Sequence, residues 1–311
     1  MARLQQTEAK VLDTLLLESN LPNVTLIGKT GVKSRQHTTE WELNRKLQTS
    51  LDISTIIRCF AEETVTELEF QQLQYVNENS EIELLIGDRP ASHSCNYKLM
   101  VADESLGKLS FFRKKRFTET ELNRIEELLC LLVYPLRNAL MYKAAIQQAM
   151  RDPLTGTLNR AALDAMLGKE IELAQRLEDP NPLSVLMVDV DHFKQINDHY
   201  GHNMGDNVLR ALVERVNSTI RSSDILFRYG GEEFTIILNN TDPEGALLLA
   251  ERVREAVEEM IYVYEDTSLS FTVSIGVASL RDGDTPSVLL ERSDKALYIA
   301  KGCGRNKVVQ D

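Results

Sequence analysis

The residues of this chain that are best suited to chemistry are carboxylates that follow an apolar run. Residues 184–191 are almost wholly apolar until they end in Asp189 and Asp191. Strands that are buried on both faces read as continuous apolar runs, and ligands bind at the ends of such strands. Because side chains two positions apart on a strand point to the same face, these two carboxylates are expected to share one face.

A second pair of carboxylates stands in a predicted hairpin. Gly230 and Gly231 separate two β-like runs, and a two-residue Gly-Gly link is typical of a tight turn. The turn presents Glu232 and Glu233. If the hairpin lies beside the apolar strand, its carboxylates approach Asp189. Carboxylates at such short distances repel one another unless a cation lies between them. Either motif alone is more often a surface turn. Together they indicate a site for Mg²⁺ or Mn²⁺, which bind oxygen ligands.

The polar segment at residues 192–206 has side chains that suit a nucleotide. Lys194 can meet a phosphate as a point charge. Asn197 and Asp206 can read the edge of a base. Guanine presents two adjacent donors, N1–H and the 2-amino group, and one carboxylate accepts both. Adenine lacks the N1–H, so an aspartate at this place favours guanine.

These side chains need a scaffold, and residues 151–311 alternate between helical and strand-like patterns. The predicted helices are 161–175, 205–220, 243–260 and 286–301, and the predicted strands are 183–190, 226–229, 234–238 and 269–278. Alternation of this kind predicts an α/β domain, with helices packed on a central sheet.

The upstream half of the chain predicts a smaller α+β domain. A helical pattern at 3–19 is followed by a Pro- and Gly-containing loop at 22–38. Two helices are predicted at 41–51 and 53–68, and the strands that follow are predicted at 72–76, 82–86, 97–101 and 108–112. Asp52 is the predicted N-cap of the second helix. The strands are expected to form an antiparallel meander, and the basic run 113–116 is interpreted as a solvated turn.

A long helix is predicted at 118–150, between the two domains. Its apolar residues are mostly three or four positions apart. Thr118 and Glu121 form a capping-box signature at its start, and Pro135 is expected to kink it. The pattern alone leaves two interpretations equally open. The helix either packs only on its own domain or also pairs with a second copy of the chain.

Composition limits the classes of function. The net charge is −12, of which residues 151–311 contribute −10. An acidic chain is a poor partner for a nucleic-acid polymer. The longest apolar run is about nine residues, far short of the about 20 that a membrane helix needs. The four cysteines are widely scattered, so the sequence predicts a reduced, cytoplasmic protein without a membrane partner.

Residues 230–234, Gly-Gly-Glu-Glu-Phe, resemble the signature of the GGDEF family, the bacterial diguanylate cyclases, in its GGEEF form. Further segments resemble the opening, metal, guanine and closing motifs of that family, in the same order: residues 152–160, 189–198, 201–206, 274–276 and 294–306. The resemblance covers residues 151–311. It implies a palm-like cyclase domain with a central β-sheet flanked by helices.

The resemblance also implies a reaction and a set of residues. Two GTP molecules condense to cyclic di-GMP and two pyrophosphates, and each 3′-hydroxyl attacks the α-phosphate of the other nucleotide. The residues implied are Asp189, the Val190 carbonyl and Glu232 for Mg²⁺ or Mn²⁺; Glu233 as a base or additional ligand; Lys194 for charge on the transferring phosphoryl group; Asn197 and Asp206 for guanine, with His202 in the binding segment; and Lys301 and Arg305 for the triphosphate.

One such domain holds one GTP, so the implied reaction needs a homodimer, and this favours the 118–150 helix as the dimer element. The Arg221-x-x-Asp224 spacing resembles the product-inhibition site of the family, with Arg252 as a further arginine. Guanidinium groups suit the capture of phosphate and guanine. Without the neighbouring motifs, a four-residue Arg-x-x-Asp segment would more often form a surface ion pair.

The expected organisation is therefore a helix and linker at 1–38, a GAF-like sensor domain at 39–117, a signalling helix at 118–150 and a cyclase domain at 151–311. The GAF-like assignment is based on the resemblance of residues 107–113, 117–121 and 137–139 to the end of such domains. Two alternatives remain open. One is a non-catalytic receptor for cyclic di-GMP, and the other is a cyclase of relaxed purine choice.

Overall fold

The computed structural model describes residues 35–87, 92–175, 182–264 and 267–311. The chain divides into two compact units, one ending at Leu140 and one covering Met141–Asp311. The predicted helix at 3–19 and most of the predicted loop at 22–38 lie outside the described residues.

The first unit combines helices with one antiparallel sheet. Its elements are α1 (Arg35–Leu47), α2 (Ile53–Leu68), β1 (Gln72–Asn77), a 3₁₀ turn (Glu78–Ser80), β2 (Ile82–Ile86), β3 (His93–Val101), β4 (Glu104–Arg113) and most of α3 (Glu119–Ala149). The strand order is β2-β1-β4-β3, so the predicted meander is wrong. Strand β4 pairs with β1 because both bury alternate apolar residues. Leu73 lies opposite Phe111, and Tyr75 lies opposite Leu109.

The basic run after β4 is not simply a solvated turn, because Arg113 is only 1% exposed. Its guanidinium donates to both carboxylate oxygens of Glu121, at 3.0 and 2.5 Å. It also donates to the carbonyls of Leu68 and Arg116 and lies over the ring of Phe117. Arg113 therefore fastens the end of β4 and the end of α2 to the first turn of α3.

The predicted caps of this unit are confirmed. The Asp52 side chain accepts a hydrogen bond from the Thr55 backbone N–H at 2.7 Å. At the start of α3, the Thr118 N–H donates to the Glu121 carboxylate at 2.7 Å, and the Glu121 N–H donates to the Thr118 hydroxyl. Pro135 lies inside a single continuous helix. The apolar stripe of α3 is buried from Ile125 to Leu140, whereas residues 141–149 are exposed or half-buried.

The second unit is a mixed sheet with helices on both faces. Its elements are β5 (Leu158–Asn159), α4 (Arg160–Gln175), β6 (Leu183–Val190), α5 (Phe193–Tyr200), α6 (His202–Thr219), β7 (Ile225–Arg228), β8 (Glu233–Asn239), α7 (Pro243–Glu258), β9 (Tyr262–Tyr264), β10 (Thr267–Leu269), β11 (Val273–Ser279), α8 (Pro286–Gly302) and β12 (Val308–Gln310). The order of the main sheet is β12-β11-β6-β8-β7-β5. The predicted α/β architecture is confirmed, and α5, β5, β9, β10 and β12 were missed. The strand predicted at 269–278 corresponds to β11 and overlaps β10 only at Leu269.

Strand β6 lies in the middle of this sheet, and all eight of its residues are buried. One face, which includes Leu186 and Val188, belongs to the core that α5, α6 and α7 share. Val185, on the other face, belongs to the core under α4 and α8. Helix α8 approaches very closely at Gly276, where an added Cβ would lie 2.1 Å from the carbonyl oxygen of Ser293. Because side chains alternate along β6, the face under α4 and α8 also receives the side chain of Asp189.

Candidate active site

The predicted neighbour relation between the hairpin and the apolar strand is confirmed. Strands β6 and β8 pair antiparallel, with Asp189 directly opposite Glu233. The Val190 N–H also donates to the carbonyl of Glu232 at 3.4 Å. Residues opposite one another in an antiparallel pair carry their side chains on the same face. The sheet register therefore brings the acidic turn to the end of β6.

The turn itself differs from the prediction. Four residues separate β7 from β8, so the predicted two-residue Gly-Gly link is wrong. The backbone N–H groups of Tyr229 and Gly230 both donate to the Glu233 carbonyl, at 2.8 and 3.1 Å. Neither glycine of this turn has a positive φ. Gly230 instead allows the Glu233 side chain to lie close to the backbone of the turn, because an added Cβ at Gly230 would lie 2.5 Å from a carboxylate oxygen of Glu233.

Sequence reasoning missed the residue that holds this turn, Arg228. Its guanidinium donates to the Gly231 carbonyl at 2.7 and 3.2 Å and to Asp152 at 2.9 Å. Burial raises the pKa of Asp152, but hydrogen bonds from Thr155 and Arg228 outweigh it and leave that pKa below its usual value. The sequence signal for this contact was Arg228, a basic residue just before the turn, together with Asp152 in the 152–160 segment.

The carboxylate of Asp189 is buried and has a cationic partner. Its side chain is 5% exposed, and the Lys301 ammonium lies 2.7 Å away. Burial raises the pKa of Asp189 to about 6, Lys301 opposes that rise, and the charges of Glu232 and Glu233 add to it. Burial and the charge of Glu233 likewise raise the pKa of Glu232. The site gathers more negative charge than one lysine compensates.

Asp191 has a different task from Asp189. It is 4% exposed and accepts hydrogen bonds from the hydroxyls of Thr272 and Ser274, each at 2.7 Å. Its third donor is the backbone N–H of Asn306, at 2.9 Å. These bonds join the end of β6 to the start of β11 and to the turn after α8, so Asp191 is a structural residue.

The predicted guanine residues lie on α5 and α6. An added Cβ at Gly205 would lie 2.0 Å from the side-chain oxygen of Asn197, so the first turn of α6 rests against that amide. Asp206 is the next residue of α6, and it is half-buried like Asn197. Lys194 and His202 are exposed in the first turns of their helices. The structure therefore places Asn197 next to the residue that precedes Asp206.

The predicted inhibitory residues also lie near one another. The Asp224 carboxylate is 8% exposed and accepts the Arg221 N–H at 2.9 Å, which closes a turn after α6. Arg252, on α7, donates to the Thr219 carbonyl at 2.7 Å, two residues before Arg221. Both arginines are exposed. The Arg252 guanidinium therefore contacts the end of α6, two residues before the turn that begins at Arg221.

The donor set at Asp189 fits a hard divalent cation. Across the described residues, no group of three or more His, Cys, Asp or Glu side chains has the geometry to hold a metal by itself. Mg²⁺ is usually held by one or two carboxylates and completes its shell with water and substrate phosphates. The buried Asp189 and the neighbouring Glu232 match that arrangement, and the surplus negative charge favours a cation.

Comparison with known proteins identifies the class. The sequence matches the family "Diguanylate cyclase, GGDEF domain" over residues 149–307, slightly more than half of the chain. The chain therefore belongs to the GGDEF diguanylate cyclase family. It is 37% identical over 195 residues to diguanylate cyclase A of Treponema denticola. That alignment covers 62% of this chain and 52% of the relative, so the chain spans about half the length of the curated protein that it matches.

Two solved structures are similar in fold. The coiled coil and GGDEF domain of DgcB from Caulobacter crescentus, in complex with c-di-GMP, is 28% identical with a TM-score of 0.51, over 62% of this chain and 94% of that one. The diguanylate cyclase SiaD of Pseudomonas aeruginosa, in complex with its activator SiaC, is 27% identical with a TM-score of 0.53, over the whole of both chains. None of the helices in the described residues combines the length and apolar character needed to cross a bilayer.

Proposed function

We propose that this chain is an active diguanylate cyclase that condenses two GTP into cyclic di-GMP and two pyrophosphates. The observation that carries the proposal is the buried Asp189 carboxylate, which pairs with Lys301 at 2.7 Å beside the acidic turn. Burying a carboxylate beside other carboxylates costs folding free energy, and residues of this kind are often found at functional sites, where a ligand offsets the charge. Family membership supports the same reaction.

We assign the metal to Asp189, the Val190 carbonyl and Glu232, with Glu233 as base or additional ligand. When bound, Mg²⁺ or Mn²⁺ would neutralise phosphate charge and make the 3′-hydroxyl more acidic. The residues of the chain supply position and charge, which phosphoryl transfer needs more than covalent help. The buried end of β6 excludes water from one side of the reacting groups and strengthens the electrostatic interactions there.

We assign the nucleotide to side chains around this carboxylate pair. Asn197 and Asp206 read the guanine edge, and His202 lies in the same helix turn. The ammonium of Lys194 stabilises charge on the transferring phosphoryl group. Lys301 and Arg305 bind the triphosphate, and Lys301 already faces Asp189. Because Lys194 is assigned to charge that develops during the transfer, its ammonium stabilises the transition state more than the bound substrate.

A homodimer completes the site, because one domain binds one GTP and the ring needs two. Helix α3 offers a surface for pairing. Its exposed positions Tyr134, Asn138, Met141 and Ala145 are separated by four, three and four residues, the spacing of a coiled-coil seam. The solved relative from Caulobacter is described as a coiled coil with a GGDEF domain. A polar residue such as Asn138 at a seam position fixes register.

Product inhibition is proposed at the turn after α6. Arg221 and Arg252 supply the guanidinium groups, and Asp224 accepts the backbone N–H of Arg221 and so fixes the turn. Arginine binds phosphate and the guanine edge in a bidentate manner. The product would therefore bind outside the catalytic residues and slow its own synthesis.

The first unit is proposed as the regulatory part of the chain. We keep the division into a helix and linker at 1–38, a GAF-like domain at 39–117, a signalling helix at 118–150 and a cyclase domain at 151–311. The similar protein SiaD was solved in complex with its activator SiaC, which is an example of control by a second protein. The Arg113–Glu121 pair attaches α3 firmly to the first unit.

The proposal is tested by incubating the purified chain with GTP and either Mg²⁺ or Mn²⁺ and identifying the product by mass. Wild-type protein is expected to form cyclic di-GMP, and Asp189→Asn is expected to form at least 10²-fold less. GTP is expected to outcompete ATP because of Asp206. Binding of added cyclic di-GMP without any turnover of GTP would refute the cyclase and support the receptor alternative.

A further inference from the structure

The turn that carries Arg305 has an unusual backbone. Gly304, Arg305 and Asn306 all have positive φ, at 107°, 63° and 46°. A non-glycine residue in this region costs about 1–3 kcal/mol. Such a conformation persists only where the surrounding contacts enforce it. Two consecutive side-chain-bearing residues in the left-handed region therefore imply that something holds this turn in place.

Asn306 makes the contacts that hold it. Its side-chain N–H donates to the carboxylate of Glu258 at 2.7 Å, and its side-chain oxygen accepts from Arg254 at 3.0 Å. Its backbone N–H donates to Asp191 at 2.9 Å. Arg254 and Glu258 are also bonded to each other, at 2.6 Å. Asn306 is therefore fixed from helix α7 on one side and from the end of β6 on the other.

These contacts connect two parts of the site that are far apart in the sequence. Asp191 lies two residues after Asp189 and is itself fixed by hydroxyls from β11 and the residue before it. A backbone N–H bound to Asp191 therefore has a fixed place relative to the metal-binding end of β6. Arg305, directly before Asn306, is exposed and is the residue assigned to the triphosphate.

We propose that Asn306 is a positioning residue for GTP, which aims Arg305 at the triphosphate by holding its turn between Asp191, Glu258 and Arg254. This inference depends on the proposed cyclase function. Asn306 touches no reacting atom and acts only through Arg305. Because Arg305 contacts phosphate in the ground state and the transition state alike, loss of its position weakens the binding of GTP and leaves kcat largely unchanged.

The test replaces Asn306 with glycine, which keeps the left-handed backbone and the N–H bound to Asp191 and removes only the side-chain bonds. Asn240→Gly is the matched control, because Asn240 also has a positive φ, at 50°, in a different turn. We expect Asn306→Gly to raise the KM for GTP about tenfold with kcat within about twofold of wild type. Asn240→Gly is expected to leave both constants within twofold of wild type.

A double-mutant cycle then separates positioning from general damage. If Asn306 acts through Arg305, the KM of the Arg305→Ala variant does not rise further when Asn306→Gly is added. Multiplicative effects of the two changes would overturn the inference, and so would a wild-type KM for Asn306→Gly. If wild-type protein itself makes no cyclic di-GMP, the proposed function fails before any variant is compared, so the two failures are distinguishable.

A second pair of variants covers the case in which Asn306→Gly does not fold. Glu258 is exposed at the end of α7, so changes there should spare the fold. Glu258→Ala removes the acceptor of the Asn306 side chain and is expected to raise the KM about threefold. Glu258→Gln keeps an acceptor oxygen and is expected to stay nearer the wild-type KM. Equal KM values for these two variants would also overturn the inference.

Discussion

Replacing Arg228 with methionine tests whether the acidic turn is held by one side chain. The guanidinium makes two hydrogen bonds to the Gly231 carbonyl and one to Asp152. Methionine keeps much of the length and apolar contact of arginine and removes all three bonds. The turn that carries Glu232 then loses its hydrogen bonds to Arg228 and, through Arg228, its attachment to Asp152 in the 152–160 segment.

The expected loss of stability follows from these contacts. The side chains of Arg228 and Asp152 are 16% and 15% exposed, so their ion pair is more strongly desolvated than a surface pair. We expect a loss of about 3 kcal/mol: about 1 kcal/mol for the carbonyl contact and about 2 kcal/mol for the ion pair, because Asp152 keeps its bonds to Thr155. For a unit of this size, that loss lowers the melting temperature by about 6–12 °C.

Activity should fall as well, because a shift of about 1 Å in a catalytic group costs up to about 10²-fold in rate. We therefore expect Arg228→Met to lower kcat by about tenfold to a hundredfold at a temperature where the variant is folded. The assays are thermal unfolding followed by circular dichroism and turnover of GTP.

Arg210→Met is the matched control, since Arg210 is an exposed arginine that also donates to the 152–160 segment, at the Leu154 carbonyl. It is expected to change stability by less than about 0.5 kcal/mol. If Arg228→Met melts with the control and retains wild-type kcat, the assignment of Arg228 to the turn is refuted.

Three further predictions concern acid stability, inhibition and assembly. Hydrogen bonds from Arg113 and from Thr118 lower the pKa of Glu121 to about 2. The stability that this carboxylate adds is therefore present above its unfolded pKa of about 4.5 and is lost as pH falls toward 2. Glu121→Gln should therefore flatten the decline in unfolding free energy between pH 5 and 2, and an unchanged decline would contradict this. Arg221→Ala should abolish inhibition by added cyclic di-GMP in a turnover assay, and retained inhibition would exclude the site. Met141→Glu should weaken self-association at least tenfold in sedimentation experiments, and an unaltered equilibrium would exclude the α3 seam.

Patterns that serve the core were read correctly from the sequence. Residues 183–190 have the bounds of β6 because an uninterrupted apolar run is what a doubly covered strand requires. The caps at Asp52 and Thr118 were predictable because an N-cap is a local interaction. The sequence predicts that the acidic turn approaches Asp189 if the hairpin lies beside the apolar strand. The pairing of β6 with β8 meets that condition.

Features that depend on contacts distant in sequence were missed or wrong. Helix α5 buries only Phe193 and Ile196, so its polar residues conceal a helical period. The edge strands β5 and β12 contain two and three residues, too few for a strand pattern. In the sequence, Arg113 is one of four consecutive basic residues and nothing distinguishes it from the others. The fold shows that it binds the end of α2, the loop after β4 and the first turn of α3.

The central claim is that two copies of this chain form one cyclase site, and the rate of cyclic di-GMP synthesis as a function of protein concentration tests it most directly. With saturating GTP and Mg²⁺, the rate per chain is expected to rise with concentration and then level off at the concentration where sedimentation shows the dimer. An active monomer, with a rate per chain that is constant across a wide range of concentration below dimerisation, would contradict the account.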